Sequence, residues 1–331
     1  MRKTKIGIMS FAHMHAYNYA ACLKALPEAE FAAIWDDKPR RGRAAARKFG
    51  TAFLAKQEKF LEMDLDGVII CSENVKHREM TTRAAAAGKW VLCEKPLATN
   101  VADAHAMIKA CEKARVGLGT AFPCRFAASL RVAHDRIASG EFGAVYAVSC
   151  TNNGSNPGDW FVDEELSGGG ATMDHTVHVA DWLRWTLGKE FRKVYCEAGN
   201  VLHEGVLETD DVGLLQLEME GGIQVSHVAS WSRPRSYPTW GDVTFEFICE
   251  KGVLNVDAFN QRVDVYSDAA MKTEWVSWGT NADLGLIRDF VRAIIEKRPP
   301  AATGLDGLRA TEVTVAAYES LKSGNVVKLR A

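Results

Sequence analysis

The chain has 331 residues, 47% of them hydrophobic and 25% charged, enough apolar material for two domains with sizeable cores. Forty basic against 42 acidic side chains leave a formal charge of -2 and no basic block, which argues against nucleic acid or a membrane surface as a partner. No apolar run reaches spanning length, and the run after the basic start is too short for a secretory signal. The eight scattered cysteines form no C-x-x-C pair. A cytoplasmic protein with reduced thiols is therefore expected.

Taken in order, residues 4–10 (TKIGIMS) predict a strand and 16–26 a helix. Residues 31–35 are a second strand, closed by Asp36 and Asp37 and followed by a helix over 38–49. Strand 67–72 leads to helix 75–87, strand 90–94 to helix 101–114, and 116–121 is a fifth strand. That alternation predicts a parallel sheet with crossover helices. Beyond Ala121 the rhythm changes. A helix over 126–139 is followed by strands at 144–151, 191–198, 211–220, 223–232, 242–249 and 262–266, with Glu220-Gly221-Gly222 as a hairpin turn. A long helix over 171–187 follows Gly168-Gly169-Gly170, and helices near 282–297 and 304–323 close the chain. The expected fold class is α/β: a Rossmann dinucleotide-binding domain over 1–122, then an α+β domain over 123–331 with an open, mostly antiparallel sheet.

The run Trp90-Val91-Leu92-Cys93 ends abruptly in Glu94-Lys95-Pro96. Ligands of open parallel sheets bind beyond the carboxyl ends of the strands, so Lys95 projects where chemistry is done. Pro96 stops the strand and admits a cis peptide that would aim the lysine. The bland alternative is a solvated loop lysine. In the first turn, Ser10-Phe11-Ala12-His13-Met14-His15 replaces the usual G-x-G-x-x-G, with every glycine gone. Asp36 stands at the end of the second strand, where a carboxylate grips a ribose hydroxyl, or else caps the next helix. Asp37 beside it disfavours a 2′-phosphate, so NAD is expected over NADP, although Arg40 and Arg41 are close in sequence.

On the helix over 171–187, Asp174, His178 and Asp181 recur at i, i+4 and i+7. A histidine with a carboxylate neighbour suits proton transfer near neutral pH, and His175 lies a third of a turn away. The bland account has Asp174 favoured by the helix dipole and His178 as a partnered core histidine. His13, His15, His175 and His178 are also conceivable metal ligands, but their spacing is unspecific and no metal is expected. The loop from Asn152 to Trp160 suits a hydroxyl-rich ligand, or is a bare turn. Trp231, Arg233, Arg235, Tyr237 and Trp240 form a cluster that suits either the cleft or a subunit interface.

GVIICSENVKH at 67–77, Glu94-Lys95-Pro96-Leu97, Arg125-Phe126, GEFGAV at 140–145, SGGGATMDHTVHVADWLRWTLG at 167–188 and AAYESLKSGNVVKL at 316–329 carry a family likeness. Over nearly its whole length the chain resembles the glucose-fructose oxidoreductase and inositol dehydrogenase (Gfo/Idh/MocA) family. The resemblance implies NAD(P)-dependent hydride transfer at a hydroxyl-bearing carbon of a sugar, sugar derivative or cyclitol. It implies Lys95, Asp174 and His178 as catalytic residues. Around the cofactor it points to Ser10, Phe11, Ala12, His13, His15, Asp36, Asp37, Cys71, Ser72, Glu73, His77, Glu94, Lys95, Pro96 and Arg125. Asn152, Trp160, His175, His178 and Asp181 are expected against the substrate. An open sheet needs a covered face, so a homodimer or homotetramer is expected. Rival readings are an NAD-dependent lyase or glycosidase with transient oxidation, and a non-catalytic ligand sensor on the same fold.

Overall fold

The segment TKIGIM is apolar on both faces of an extended chain, which only a strand covered on both sides can bury. In the computed structural model, which describes residues 2–237, 239–260, 262–269, 271–277 and 281–329, it is the central strand β1 (Thr4–Met9). The chain continues through α1 (His15–Ala25), β2 (Ala29–Trp35), α2 (Pro39–Phe49), β3 (Ala52–Leu54), α3 (Gln57–Leu61), β4 (Gly67–Ile70), α4 (His77–Ala86), β5 (Trp90–Cys93), α5 (Val101–Ala114) and β6 (Leu118–Thr120). All six strands pair in parallel, in the order β3-β2-β1-β4-β5-β6. This is the doubly wound Rossmann order, with its switch point between β1 and β4.

Local chemistry sets the ends of these helices. Pro39 opens α2, and Gly50 closes it with φ at +62°. Asn100 caps α5 by accepting the Asp103 amide at 2.9 Å.

After β6 come α6 (Ala128–Ala138), β7 (Val145–Gly154), the one-turn α7 (Glu164–Ser167), α8 (Ala171–Leu187), β8 (Phe191–Gly199), β9 (Val212–Met219), β10 (Ile223–Ser230), β11 (Gly241–Cys249), β12 (Gly252–Asp257), β13 (Arg262–Ser267), β14 (Lys272–Ser277), α9 (Ala282–Glu296), α10 (Gly304–Ser323) and β15 (Val327–Lys328). Seven of these strands form a sheet in the order β12-β11-β7-β10-β9-β8-β15. It is antiparallel except for the β7–β10 pair. Along β9, β10 and β11 every second residue is buried, and α8 packs on β7, β9 and β10. The opposite face leaves Leu214 and Ile248 exposed.

The chain packs as two units. One holds Met1–Pro123 with Glu165–Ser167 and Ala282–Thr311; the other holds Cys124–Glu164, Gly168–Asn281 and Glu312–Ala331. Residues 282–311, counted with the second domain in the sequence, thus belong to the first unit, where α9 packs on α1. The strands β3, β12, β14 and β15 were not legible in the sequence. Three of them hold two or three residues or follow a tight turn, too little for a period to show.

Candidate functional site

In the first unit the chemistry gathers at the carboxyl ends of β1, β2, β4 and β5. Ser10 leaves β1 with φ at +72°, the left-handed conformation that a loop glycine normally supplies. Its amide donates to Trp35 O at 2.7 Å, and the Phe11 amide donates to Asp36 Oδ2 at 2.8 Å. Asp36 also accepts the Lys38 amide at 2.7 Å and is 1% exposed. Arg41 lies across it, with Nε 2.9 Å from Oδ2 and Nη2 2.9 Å from Oδ1, and the same Nη2 reaches Ser10 Oγ at 3.0 Å. The oxygens expected to await a ribose therefore hold the loop and a guanidinium. Burial works against the Asp37 carboxylate, but Lys76 and Arg41 outweigh it and hold its pKa below the ordinary value. Lys76 also meets Glu73 at 3.0 Å.

The next residues turn back toward the sheet. The His13 amide donates to Cys71 O at 2.9 Å, and His13 Nδ1 accepts the His15 amide at 3.2 Å. His15 Nδ1 is 3.0 Å from Glu94 Oε1, and His13 Nε2 is 3.9 Å from Glu94 Oε2. Burial opposes the Glu94 charge, yet His13, His15 and Lys95 outweigh it and keep the carboxyl well below the usual range. For His15, burial lowers and Glu94 raises the pKa, and the carboxylate prevails. These three side chains bring potential ligand atoms within 4.8 Å of one another. His13 Nδ1, however, spends its lone pair on an amide, so the proton sits on Nε2, whose 3.9 Å to Glu94 Oε2 is too long for a hydrogen bond. The cluster is a His15–Glu94 pairing and a poor metal donor set.

Lys95 follows Glu94, is 3% exposed, and precedes a cis bond to Pro96 as the sequence led us to expect. His77 is fully buried, with Nδ1 2.9 Å from Pro96 O and Nε2 3.3 Å from Ser72 O, and burial holds its pKa down. It ties the loops after β4 and β5 together. Cys71 is buried, its thiol pushed well above the ordinary pKa by burial. Ser72 turns its hydroxyl onto Glu73 O at 3.1 Å.

In the second unit α8 starts at Gly170, where a Cβ would lie 1.9 Å from the Asp210 carbonyl oxygen. Asp210 caps the helix from 40 residues away, accepting the Gly170 and Thr172 amides at 3.1 and 2.8 Å. One turn on, Asp174 Oδ2 accepts Trp231 Nε1–H at 3.2 Å and stands 3.2 Å from His175 Nε2. His175 Nδ1 meets Asn152 O at 2.8 Å, which joins α8 to β7, and Trp240 packs edge-on against its ring. Among the described residues Asn152 Oδ1 is buried and meets no donor. His178 is 7% exposed, its Nδ1 3.9 Å from Cys124 Sγ. Asp181 is taken by Arg125, with Nε–Oδ2 2.8 Å and Nη2–Oδ1 2.6 Å. Trp160 is buried and stacked on Phe161 at 3.9 Å.

The structure thus gathers Asp174, His175 and Asn152, and sends Asp181 to Arg125. Sequence reasoning missed the Glu94–His15 pair, the Arg41 clamp on Asp36 and the Trp231 bond to Asp174. Only Trp231 carried a signal, as part of an aromatic cluster.

Residues 5–122 match the model of the oxidoreductase family with an NAD-binding Rossmann fold, and residues 130–255 match the GFO/IDH/MocA C-terminal domain. The chain belongs to the Gfo/Idh/MocA family. It is an oxidoreductase with an NAD-binding Rossmann domain. It is 27% identical to the myo-inositol 2-dehydrogenase of Thermotoga maritima, over 99% of this chain and 98% of that protein. A 1,5-anhydro-D-fructose reductase of Ensifer adhaerens is 36% identical over 49% of this chain and 50% of its own. Among solved structures, GenD2 from gentamicin A biosynthesis in complex with NAD superposes with a TM-score of 0.90 at 24% identity, covering 100% of this chain and 97% of that one. A probable dehydrogenase from Thermotoga maritima gives 0.84 at 25% identity, covering 98% of each. The residues around the β1–α1 turn fit NAD. Ser10 keeps the positive φ of the missing glycine, and Asp36 holds the loop through the Phe11 amide.

Proposed function

We propose that this family member transfers hydride between NAD, or NADP, and a hydroxyl-bearing carbon of a sugar, sugar derivative or cyclitol. The observation that carries this reading is Lys95, an almost fully buried lysine at the carboxyl end of β5 in an NAD-binding sheet. Burying an ammonium is costly unless it serves a partner, and a buried lysine at a ligand crevice is a functional position. The sugar and cyclitol dehydrogenases among the relatives support the substrate class.

When bound, NAD supplies the hydride acceptor. His178 takes the proton of the reacting hydroxyl as general base. Lys95 donates a hydrogen bond to substrate oxygen and stabilises developing negative charge. Asp174, with His175 and Trp231 on its carboxylate, is the fixed negative charge of this set. Asn152 offers its buried Oδ1 to a substrate hydroxyl. In this reading the first unit binds the cofactor, and the second binds substrate and oligomerises. The eight free, buried cysteines support a reducing, cytoplasmic setting. The open sheet face with Leu214 and Ile248 supports a homodimer or homotetramer. No described helix is long and apolar enough to cross a membrane.

A panel of polyols and aldoses incubated with NAD and NADP, read by nicotinamide absorbance, tests the activity. Reduced cofactor accumulating with one polyol supports it; no turnover with any panel member and either cofactor, in either direction, overturns it.

A further inference from the structure

The amides at the start of α1 are already engaged. His15 N–H is donated to His13 Nδ1, Ala16 N–H to His13 O at 3.1 Å, and Tyr17 N–H to Met14 O at 3.2 Å. In a Rossmann turn these are the groups that, together with close-packed glycine backbone, receive the diphosphate. Here the loop has no glycines, and the helix amides from His15 to Tyr17 are committed within the turn. What stands at the first position of the helix is the His15 ring, its side chain 27% exposed. Its Nδ1 is the nitrogen that Glu94 and the Tyr19 hydroxyl engage, at 3.0 and 3.4 Å, so Nε2 is the nitrogen left to meet a ligand. A carboxylate behind one nitrogen favours the imidazolium, and only in that charged form is the other nitrogen a donor.

We infer that the His15 imidazolium, backed by Glu94, anchors the cofactor's diphosphate in place of the loop glycines, so that dinucleotide binding tightens as this ring is protonated. The inference rests on the NAD reading above. Five groups face the ring. Glu94 and Asp283, the latter from the first turn of α9, favour its charge, whereas Lys95 opposes it. His13 packs on it at 4.2 Å between ring centroids, and Tyr19 approaches from its own helix. Burial raises the Asp283 pKa, and its carboxylate also accepts from Asn18 Nδ2 at 3.2 Å, so it is the weaker of the two anionic neighbours. The sign follows from Glu94: the charge is present at acid pH and is lost as the pH rises through a value above the ordinary 6.5. A charge-assisted hydrogen bond to phosphate is worth about tenfold or more in affinity.

The test is a titration with NAD, ADP-ribose and adenosine, read by tryptophan fluorescence, between about pH 6 and about pH 9, which brackets histidine titration. For the wild type, affinity for NAD and for ADP-ribose falls about tenfold or more across that range, and affinity for adenosine, which lacks the diphosphate, stays flat. His15→Gln binds both diphosphates weakly and without pH dependence. Glu94→Gln moves the transition to lower pH, which keeps the inference testable if the first variant folds poorly. NAD binding that is tight and flat with pH, or a pH dependence that survives in His15→Gln, overturns the inference and leaves the cofactor assignment standing. Failure to bind NAD at any pH overturns the assignment itself.

Discussion

Arg41 lies flat across Asp36, two nitrogens on two oxygens at 2.9 Å, at the place where a dinucleotide's ribose is gripped in this fold. The Asp36 side chain is closed to solvent and also accepts two backbone amides. A carboxylate that merely waits for ligand contributes nothing to folding. One that staples a loop does. Asp36→Ala is therefore expected to cost about 3 kcal/mol of stability in a urea titration without cofactor, because it strands a guanidinium and two amides. An unchanged urea midpoint would show that Asp36 serves the ribose alone.

Trp231 holds Asp174 through its indole N–H at 3.2 Å. Trp231→Phe keeps the ring and removes the donor. With Asp174 acting in the chemical step, kcat falls about tenfold and KM stays within about twofold, as for the loss of one hydrogen bond to a charged group. Steady-state kinetics check this; a change confined to KM would place Trp231 on the substrate instead.

Asp181 and Arg125 form a buried bidentate pair. Either single neutral variant, Asp181→Leu or Arg125→Met, is expected to lose about 3–5 kcal/mol, and the double variant to recover most of it. A double-mutant cycle by chemical denaturation measures the coupling. If the double variant folds well but has lost substrate affinity, Asp181 contacts the substrate as the helix pattern suggested.

Glu94 and His15 give stability a pH signature. Glu94's depressed pKa contributes stability above about 4.5 that is lost as the pH falls toward its folded value. His15's raised pKa contributes stability below about 6.5 that is lost as the pH rises through its folded value. The stability difference between wild type and Glu94→Gln should thus be largest between those limits and shrink on both sides. Thermal denaturation across pH reads it, and a difference constant from acid to alkaline pH would refute the pairing.

The alternation of apolar strands with helices made the Rossmann half legible down to its strand ends, because strands buried on both faces leave unbroken apolar runs. The Gly168-Gly169-Gly170 step was legible too, since only glycine fits beneath the Asp210 carbonyl. The partners were not. Asp36 to Arg41 and Glu94 to His15 depend on side-chain reach across neighbouring strand ends. The cap on α8 comes from Asp210 and not from the residue before the helix. Periodicity put Asp174, His178 and Asp181 on one face but could not tell that Arg125 takes Asp181. Long-range pairing of polar groups is set by the fold and leaves no local pattern.

The central claim is that Lys95 stabilises developing negative charge on substrate oxygen. The most direct measurement is the turnover number of Lys95→Ala on a substrate that the wild type oxidises with net formation of NADH. The account predicts kcat lower by about 100-fold or more with NAD binding retained. Turnover within about threefold of the wild type, at undiminished NADH yield, would contradict it.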